Sequence, residues 1–309
     1  MQISARQRIA LFLFSLVAAV ALSSIPLYAA DDSGYTIRTN VDEVRLAFAA
    51  SDRQGHAISN LRPADIAVAD NSTIIRQFRS FRSAAESPVE LVILLDASDS
   101  VATQIPQEIA AVKNFVNGSQ WGDRDRVSIL AFGGLTPELL CARNCRSQIA
   151  QTKLNSLRAD GATPLYDALF EAAEMLKQDS DPESRPAMIL FSDGVDTISM
   201  RGIIDVIEAS QNLQSAIYSV NSRSVKIGAG RGDTVLQYLA ANTGGLCFSP
   251  GQDVSEVLRN VLADLHSGYV LTYEPAEKTN GQHSVRILPT ADPRLQFRAR
   301  SAYDGSPEQ

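Results

Sequence analysis

The sequence predicts an α/β protein: a doubly wound, mainly parallel sheet, flanked by a β-sandwich built from the N- and C-terminal segments. Three observations carry this. Residues 91–95 (LVILL) are a continuous apolar run, as expected of a strand covered on both faces. Short apolar runs then alternate with helical periodicity up to about residue 265, the pattern of a parallel sheet with helices on both faces. Before and after that stretch the period is two, with no helical pattern.

Each element has a local reason. Residues 43–50 alternate, with Val44, Leu46 and Phe48 on one side and Glu43 and Arg45 on the other, which is a half-buried strand. A turn at 52–55 follows, then strands at 66–69 and 74–81 separated by a turn at Asp70 and Asn71. The polar break at 84–88 ends this first β region. After the strand at 91–95, Ile105, Ile109, Val112 and Val116 recur at helical spacing. A strand at 127–132 comes next, then a helix marked by Leu165, Leu169, Ala173 and Leu176, and a strand at 187–191. Residues 203–213 read as helix and 216–220 as strand, with helices at 235–241 and 254–265 around a short strand at 246–248. Strands at 269–273, 284–288 and 295–300, with a tight turn at Asn280 and Gly281, restore the β pattern; residues 304–309 read as a frayed end.

The organisation that follows is a signal peptide over 1–30, an N-terminal β segment over 31–85, an α/β domain over 86–268 and a C-terminal β segment over 269–309. Arg6 and Arg8 precede an apolar stretch at 9–22, and Pro26 with Ala29 and Ala30 supplies a break and small residues. That is a secretory signal with cleavage near Ala29 or Ala30, the alternative being an uncleaved anchor. No later stretch is long enough to span a bilayer. The terminal β segments are each too short to bury a good core alone, so they are expected to pack together with the α/β domain inserted between them.

The 309 residues carry 28 Lys and Arg against 35 Asp and Glu, a net charge of −7. Without Arg6 and Arg8 the exported chain stands at −9. An acidic surface repels phosphate backbones, so nucleic acid is not an expected partner. His56, His266 and His283 are too scattered for a zinc site. Cys141 and Cys145 bracket three residues of a polar loop and are expected to close a small disulfide. Cys247 is then a buried free thiol, although its pairing with either of the others stays open.

The chemistry lies at the carboxyl ends of the strands, where open α/β sheets bind ligands. Asp96, Ser98 and Ser100 follow the first buried strand; Asp160-Gly161-Ala162-Thr163-Pro164 precedes a helix; Ser192-Asp193-Gly194 follows the strand ending at Phe191. From these segments Ser98, Ser100 and Thr163 with Asp96 and Asp193 place three hydroxyls and two carboxylates on one rim, a donor set suited to a hard cation that prefers oxygen. Each segment also has a plain structural reading. Ser98 or Ser100 could cap the following helix, Thr163 and Pro164 could be an N-cap and first helical residue, and Asp193-Gly194 could be a turn.

The set resembles the metal-ion-dependent adhesion site of the von Willebrand factor type A fold, Asp-x-Ser-x-Ser with a distant Thr and a distant Asp. Asp96, Ser98, Ser100, Thr163 and Asp193 match all five positions, and the resemblance covers residues 88–268. The flanks resemble an exported bacterial subgroup: Leu61-Arg62-Pro63-Ala64-Asp65-Ile66-Ala67-Val68 at one end, Tyr269-Val270-Leu271-Thr272-Tyr273 and Arg298-Ala299-Arg300 at the other. That subgroup usually has Phe at 66, Gly at 71 and Gly at 302.

The resemblance implies Mg²⁺, with Mn²⁺ or Ca²⁺ able to replace it, held directly by Ser98, Ser100 and Thr163 and through water by Asp96 and Asp193. It implies a periplasmic or secreted, non-enzymatic interaction or adhesion protein whose partner presents an Asp or Glu to the metal. The alternatives are a Mg²⁺-dependent phosphohydrolase of the haloacid dehalogenase type and a metal-independent envelope scaffold. The phosphohydrolase needs an acid two residues after the first Asp, where Ser98 stands. A serine hydrolase lacks its Gly-x-Ser-x-Gly elbow. The glycines at 228, 230 and 232 do not bridge strand to helix as a dinucleotide site requires, and read as a flexible loop.

Overall fold

A computed structural model describes residues 43–118, 121–143, 145–179, 181, 183–224 and 230–306. The signal-peptide segment lies outside them. Among these residues a six-stranded sheet has the order β10-β9-β8-β5-β6-β7. Its strands are β5 (Val89–Asp96), β6 (Arg126–Phe132), β7 (Glu138–Cys141), β8 (Arg185–Ser192), β9 (Ala216–Asn221) and β10 (Cys247–Phe248). All neighbours run parallel except β7, which pairs antiparallel with β6.

β5 is central and buried along its whole length. Its alternate side chains feed two cores, because successive side chains of a strand point to opposite faces. Leu91, Ile93 and Leu95 meet α1 (Ile105–Asn117) and α6 (Val254–Ser267). Val92 and Leu94 meet α3 (Leu165–Asp179), α4 (Ile203–Asn212) and α5 (Arg231–Thr243). The doubly wound, mainly parallel architecture is therefore the observed one.

Two antiparallel four-stranded sheets flank it, ordered β13-β1-β11-β4 and β14-β12-β2-β3. β1 (Val44–Ser51), β2 (Ile66–Asp70), β3 (Thr73–Ile75) and β4 (Ser80–Ser83) come from the N-terminal side. β11 (Tyr269–Tyr273), β12 (Gln282–Pro289), β13 (Gln296–Ala299) and β14 (Ala302–Asp304) come from the C-terminal side. Each sheet mixes strands from both ends, and one core joins them: Leu46 and Phe48 of β1, Val68 of β2, Leu271 of β11 and Ile287 of β12.

Several elements differ from the sequence reading. The strand expected over 74–81 is two short strands in different sheets, β3 on β2 and β4 on β11. A helix, α2 (Gln148–Ser156), lies where none was expected, with Ser147 accepting the Ala150 N–H as its cap. The end read as frayed begins in β14, which pairs with β12. Asn71, where the subgroup usually has Gly, has φ +49°, in the left-handed region that Gly and Asn tolerate. Cys141 and Cys145 form the expected disulfide, and Cys247 is free but half-buried.

Candidate metal centre

The site sits where β5, β6 and β8 end together. β5 pairs with both neighbours in register, Asp96 opposite Phe132 and Leu95 opposite Phe191. Backbone bonds then stitch the loops to one another. Ala97 N–H donates to Phe132 O at 2.7 Å, and Asp160 N–H to Ala97 O at 2.7 Å. Thr163 N–H donates to Thr197 Oγ1 at 2.7 Å, and Thr197 N–H to Thr163 O at 3.0 Å. The loop after β5 touches the 160–163 loop, and that loop touches the one after β8. All three segments singled out from the sequence meet on one rim.

Ser98 Oγ lies 3.1 Å from Ser100 Oγ, and Ser98 makes no capping bond to the short helical turn that follows it. The helix-capping reading of Thr163 also fails. The first N–H groups of α3 are taken in trans from the loop after β8: Leu165 N–H by Asp196 Oδ1 at 3.0 Å, and Tyr166 and Asp167 N–H by Ser199 Oγ at 3.0 and 3.2 Å. The Thr163 hydroxyl takes no part in capping that helix. Asp193 does make the turn the plain reading expects, its Oδ1 accepting the Val195 N–H at 3.0 Å, with Gly194 at φ +79°.

Asp96 is fully buried. Its Oδ1 accepts the Ser98 N–H at 2.9 Å, and its Oδ2 accepts the Ser192 hydroxyl at 2.7 Å. Burial pushes its carboxyl up to about 6; the serine bonds oppose that rise, and the charge of Asp193 adds to it. Both carboxylate oxygens are occupied by protein donors, which suits a residue that would reach a metal through water. Replacing it with Ala would strand two buried donors, so the isosteric Asn is the cleaner substitution.

Some residues of the site were not singled out from the sequence. Ser192 anchors Asp96. Glu108 of α1 is buried and accepts the Ser222 hydroxyl at 2.6 Å; burial pushes its carboxyl up to about 7, and Asp96 contributes. A signal for Glu108 existed: it falls on the apolar stripe between Ile105 and Val112, where a charged residue is out of place. Gly232, read as part of a flexible loop, is instead in the first turn of α5, where a Cβ would lie 1.9 Å from Asp193 O. Among the described residues no Lys or Arg pairs with Asp96, Glu108 or Asp193. Among the described residues no three His, Cys, Asp or Glu side chains cluster to hold a metal there either, so any cation would rely on the hydroxyls.

A family model for the von Willebrand factor type A domain matches residues 91–195. The chain contains a von Willebrand factor type A domain. The match spans β5 through the loop after β8, and so includes all five candidate ligands. Over 156 residues the chain is 28% identical to the magnesium-chelatase 60 kDa subunit of Cereibacter sphaeroides, covering 50% of this chain and 26% of that protein. The chain thus spans about a quarter of that relative's length. A crystal structure of an aerotolerance-related membrane protein from Bacteroides fragilis aligns with TM-score 0.44 and 17% identity, over 57% of this chain and 98% of that one. The manganese-loaded Plasmodium vivax TRAP protein aligns with TM-score 0.44 and 16% identity, over 77% and 98%. No described helix is long and apolar enough to cross a membrane.

Proposed function

We propose that the type A domain binds Mg²⁺ through Ser98, Ser100 and Thr163, with Asp96 and Asp193 acting through water, and uses the metal to capture an acidic side chain of a partner protein. The observation that carries this is the 3.1 Å between Ser98 Oγ and Ser100 Oγ. Adjacent ligands of an octahedral ion with bonds of about 2.1 Å lie about 3.0 Å apart, and those of Ca²⁺ at about 2.4 Å lie about 3.4 Å apart. The two hydroxyls, hydrogen-bonded to each other, thus already stand at the separation of neighbouring ligands of a hard cation; we read that cation as Mg²⁺, with Mn²⁺ or Ca²⁺ as replacements. The unpaired buried carboxylates Asp96, Glu108 and Asp193 give a cation further reason to stay.

Neutral hydroxyl ligands leave the ion electron-poor, and an incoming Asp or Glu completes its shell. The surface around the rim supports a protein partner. Leu135, on the loop after β6, is 85% exposed, and Met200, on the loop after β8, is 96% exposed. Val195 and Ile198 lie between Asp193 and Met200 and are also exposed. Apolar side chains beside a charged anchor are the composition of an interaction surface. We read the protein as non-enzymatic and, given the signal-like residues 1–30, as exported to the periplasm or the medium.

The test is capture of partners from a bacterial envelope extract by the immobilised protein, with Mg²⁺, with EDTA, and with Ser98→Ala. Capture that needs Mg²⁺ and fails in the variant supports the reading. Capture that survives EDTA overturns it in favour of a metal-independent scaffold.

A further inference from the structure

A second site lies away from the metal rim. A cavity of about 460 Å³ opens between α5 and the β12 and β13 edge of the flanking sheets. Its size falls in the usual range for small-molecule sites, about 300–1,000 Å³. Leu246 and Phe297 contribute apolar wall; three arginines, Arg286, Arg298 and Arg300, line it, and among the described residues no Asp or Glu does.

The arginines are in different states. Arg298 is already neutralised, donating to Asp264 and to Gly244 O. Arg286 lies on the exposed face of β12 with no ion-pair partner among the described residues. Arg300 is buried, and its acceptors are two main-chain carbonyls, Gln211 O at 2.6 Å and Arg45 O at 2.8 Å. Its Nε has no acceptor among the described residues and is itself sealed from solvent. The carboxylate of Asp70, which acts on Arg300 from a distance, is committed elsewhere: it accepts the hydroxyls of Tyr273 at 3.0 Å and Tyr303 at 2.7 Å and faces His283 Nδ1 at 3.0 Å. Arg300, held by two carbonyls and set 5.3 Å from the Tyr303 ring, supplies positive charge to the wall, while the exposed guanidinium of Arg286 offers the planar fork that fits a carboxylate.

We propose that this cavity binds a small carboxylate with an apolar body, its charge gripped by Arg286 in the positive field of Arg300 and its body packed against Leu246 and Phe297. Cys247 provides the readout, since it lines the same cavity and both other cysteines are in the disulfide. Iodoacetamide labelling of Cys247 in the full chain is followed with octanoate or with octanol, both in EDTA so that the metal site plays no part. At five times its Kd, octanoate slows labelling about sixfold and saturably, as expected when the bound state is shielded. Octanol, without the charge, slows it far less. Arg286→Gln, at an exposed position that leaves the core intact, weakens the protection by octanoate. The proposal is overturned by unsaturable or absent protection, by octanol protecting as well as octanoate, or by undiminished protection in Arg286→Gln.

Discussion

Gly232→Ala tests whether the first turn of α5 sets the position of the metal rim. A Cβ at this residue would stand 1.9 Å from the Asp193 carbonyl oxygen and 3.1 Å from the Gly194 carbonyl carbon. Carbon atoms do not approach non-bonded backbone closer than about 3.0 Å, so α5 and the loop after β8 must separate by about 1 Å. A shift of about 1 Å at Asp193 disturbs its water-mediated reach to the ion. Disturbing a group that holds a metal through water typically costs about 10–100-fold in affinity. Overpacking of this kind costs about 1–3 kcal/mol of stability. The expected result is a Mg²⁺ affinity at least about tenfold lower, or about 1.4 kcal/mol, together with a lower Tm. Isothermal titration with Mg²⁺ and thermal unfolding in EDTA measure the two effects separately. Gly230→Ala, two residues earlier, is the control: a Cβ there meets nothing within 4 Å, so Mg²⁺ affinity should stay at the wild-type value, with Tm lowered only by the poorer N-cap that Ala makes for α5. Wild-type Mg²⁺ affinity in Gly232→Ala would refute the link between α5 and the site, even with a lowered Tm.

Other perturbations probe the same centre. Ser98→Ala and Thr163→Ala should each weaken Mg²⁺ binding in titration calorimetry while shifting Tm little, because neither hydroxyl caps a helix. Asp96→Asn should also weaken Mg²⁺ binding, yet fold, since the amide oxygen can still accept the Ser98 N–H while the NH2 donates to the Ser192 hydroxyl oxygen; unchanged affinity in titration counts against its role. Mg²⁺ at about 100 times its Kd should stabilise the protein by about 2.7 kcal/mol, and EDTA should abolish that gain in a melting curve. Glu108 gives a pH signature. Its carboxyl rises from the ordinary 4.5 to about 7 on burial, so its contribution to stability is fully present below 4.5 and lost as pH rises through about 7. Glu108→Gln should match wild type near pH 4 and exceed it by roughly 3 kcal/mol at pH 8, with a Tm gap that widens between those limits; a constant gap contradicts the assignment. Replacing Cys141 and Cys145 with Ser should cost about 2 kcal/mol by the entropy of a short closed loop, read from denaturant unfolding.

Local information made much of the protein legible. The run at 91–95 announces a strand buried on both faces, and the Asp96, Ser98 and Ser100 spacing lies within one short loop. Glu108 could also have been found, as a charge on an apolar stripe. The split of residues 74–81 between two sheets was not legible, because β3 and β4 are sorted by their partners, β2 and β11, and strand pairing is a long-range choice. The fate of the Thr163 hydroxyl was hidden for a similar reason. Thr-Pro before a helix looks like a cap, and only the loop carrying Asp196 and Ser199, some thirty residues away, takes over that task.

The chain's own pattern determined which elements form and which side chains stand at their ends, because periodicity and strand-end position are properties of neighbouring residues. Tertiary structure decided which of those side chains remain available for a cation, through contacts such as Gly232 against Asp193 and Ser192 against Asp96. Those contacts join residues about 40 to 100 positions apart, and steric fit and hydrogen-bond competition at such separations exist only once the chain has folded.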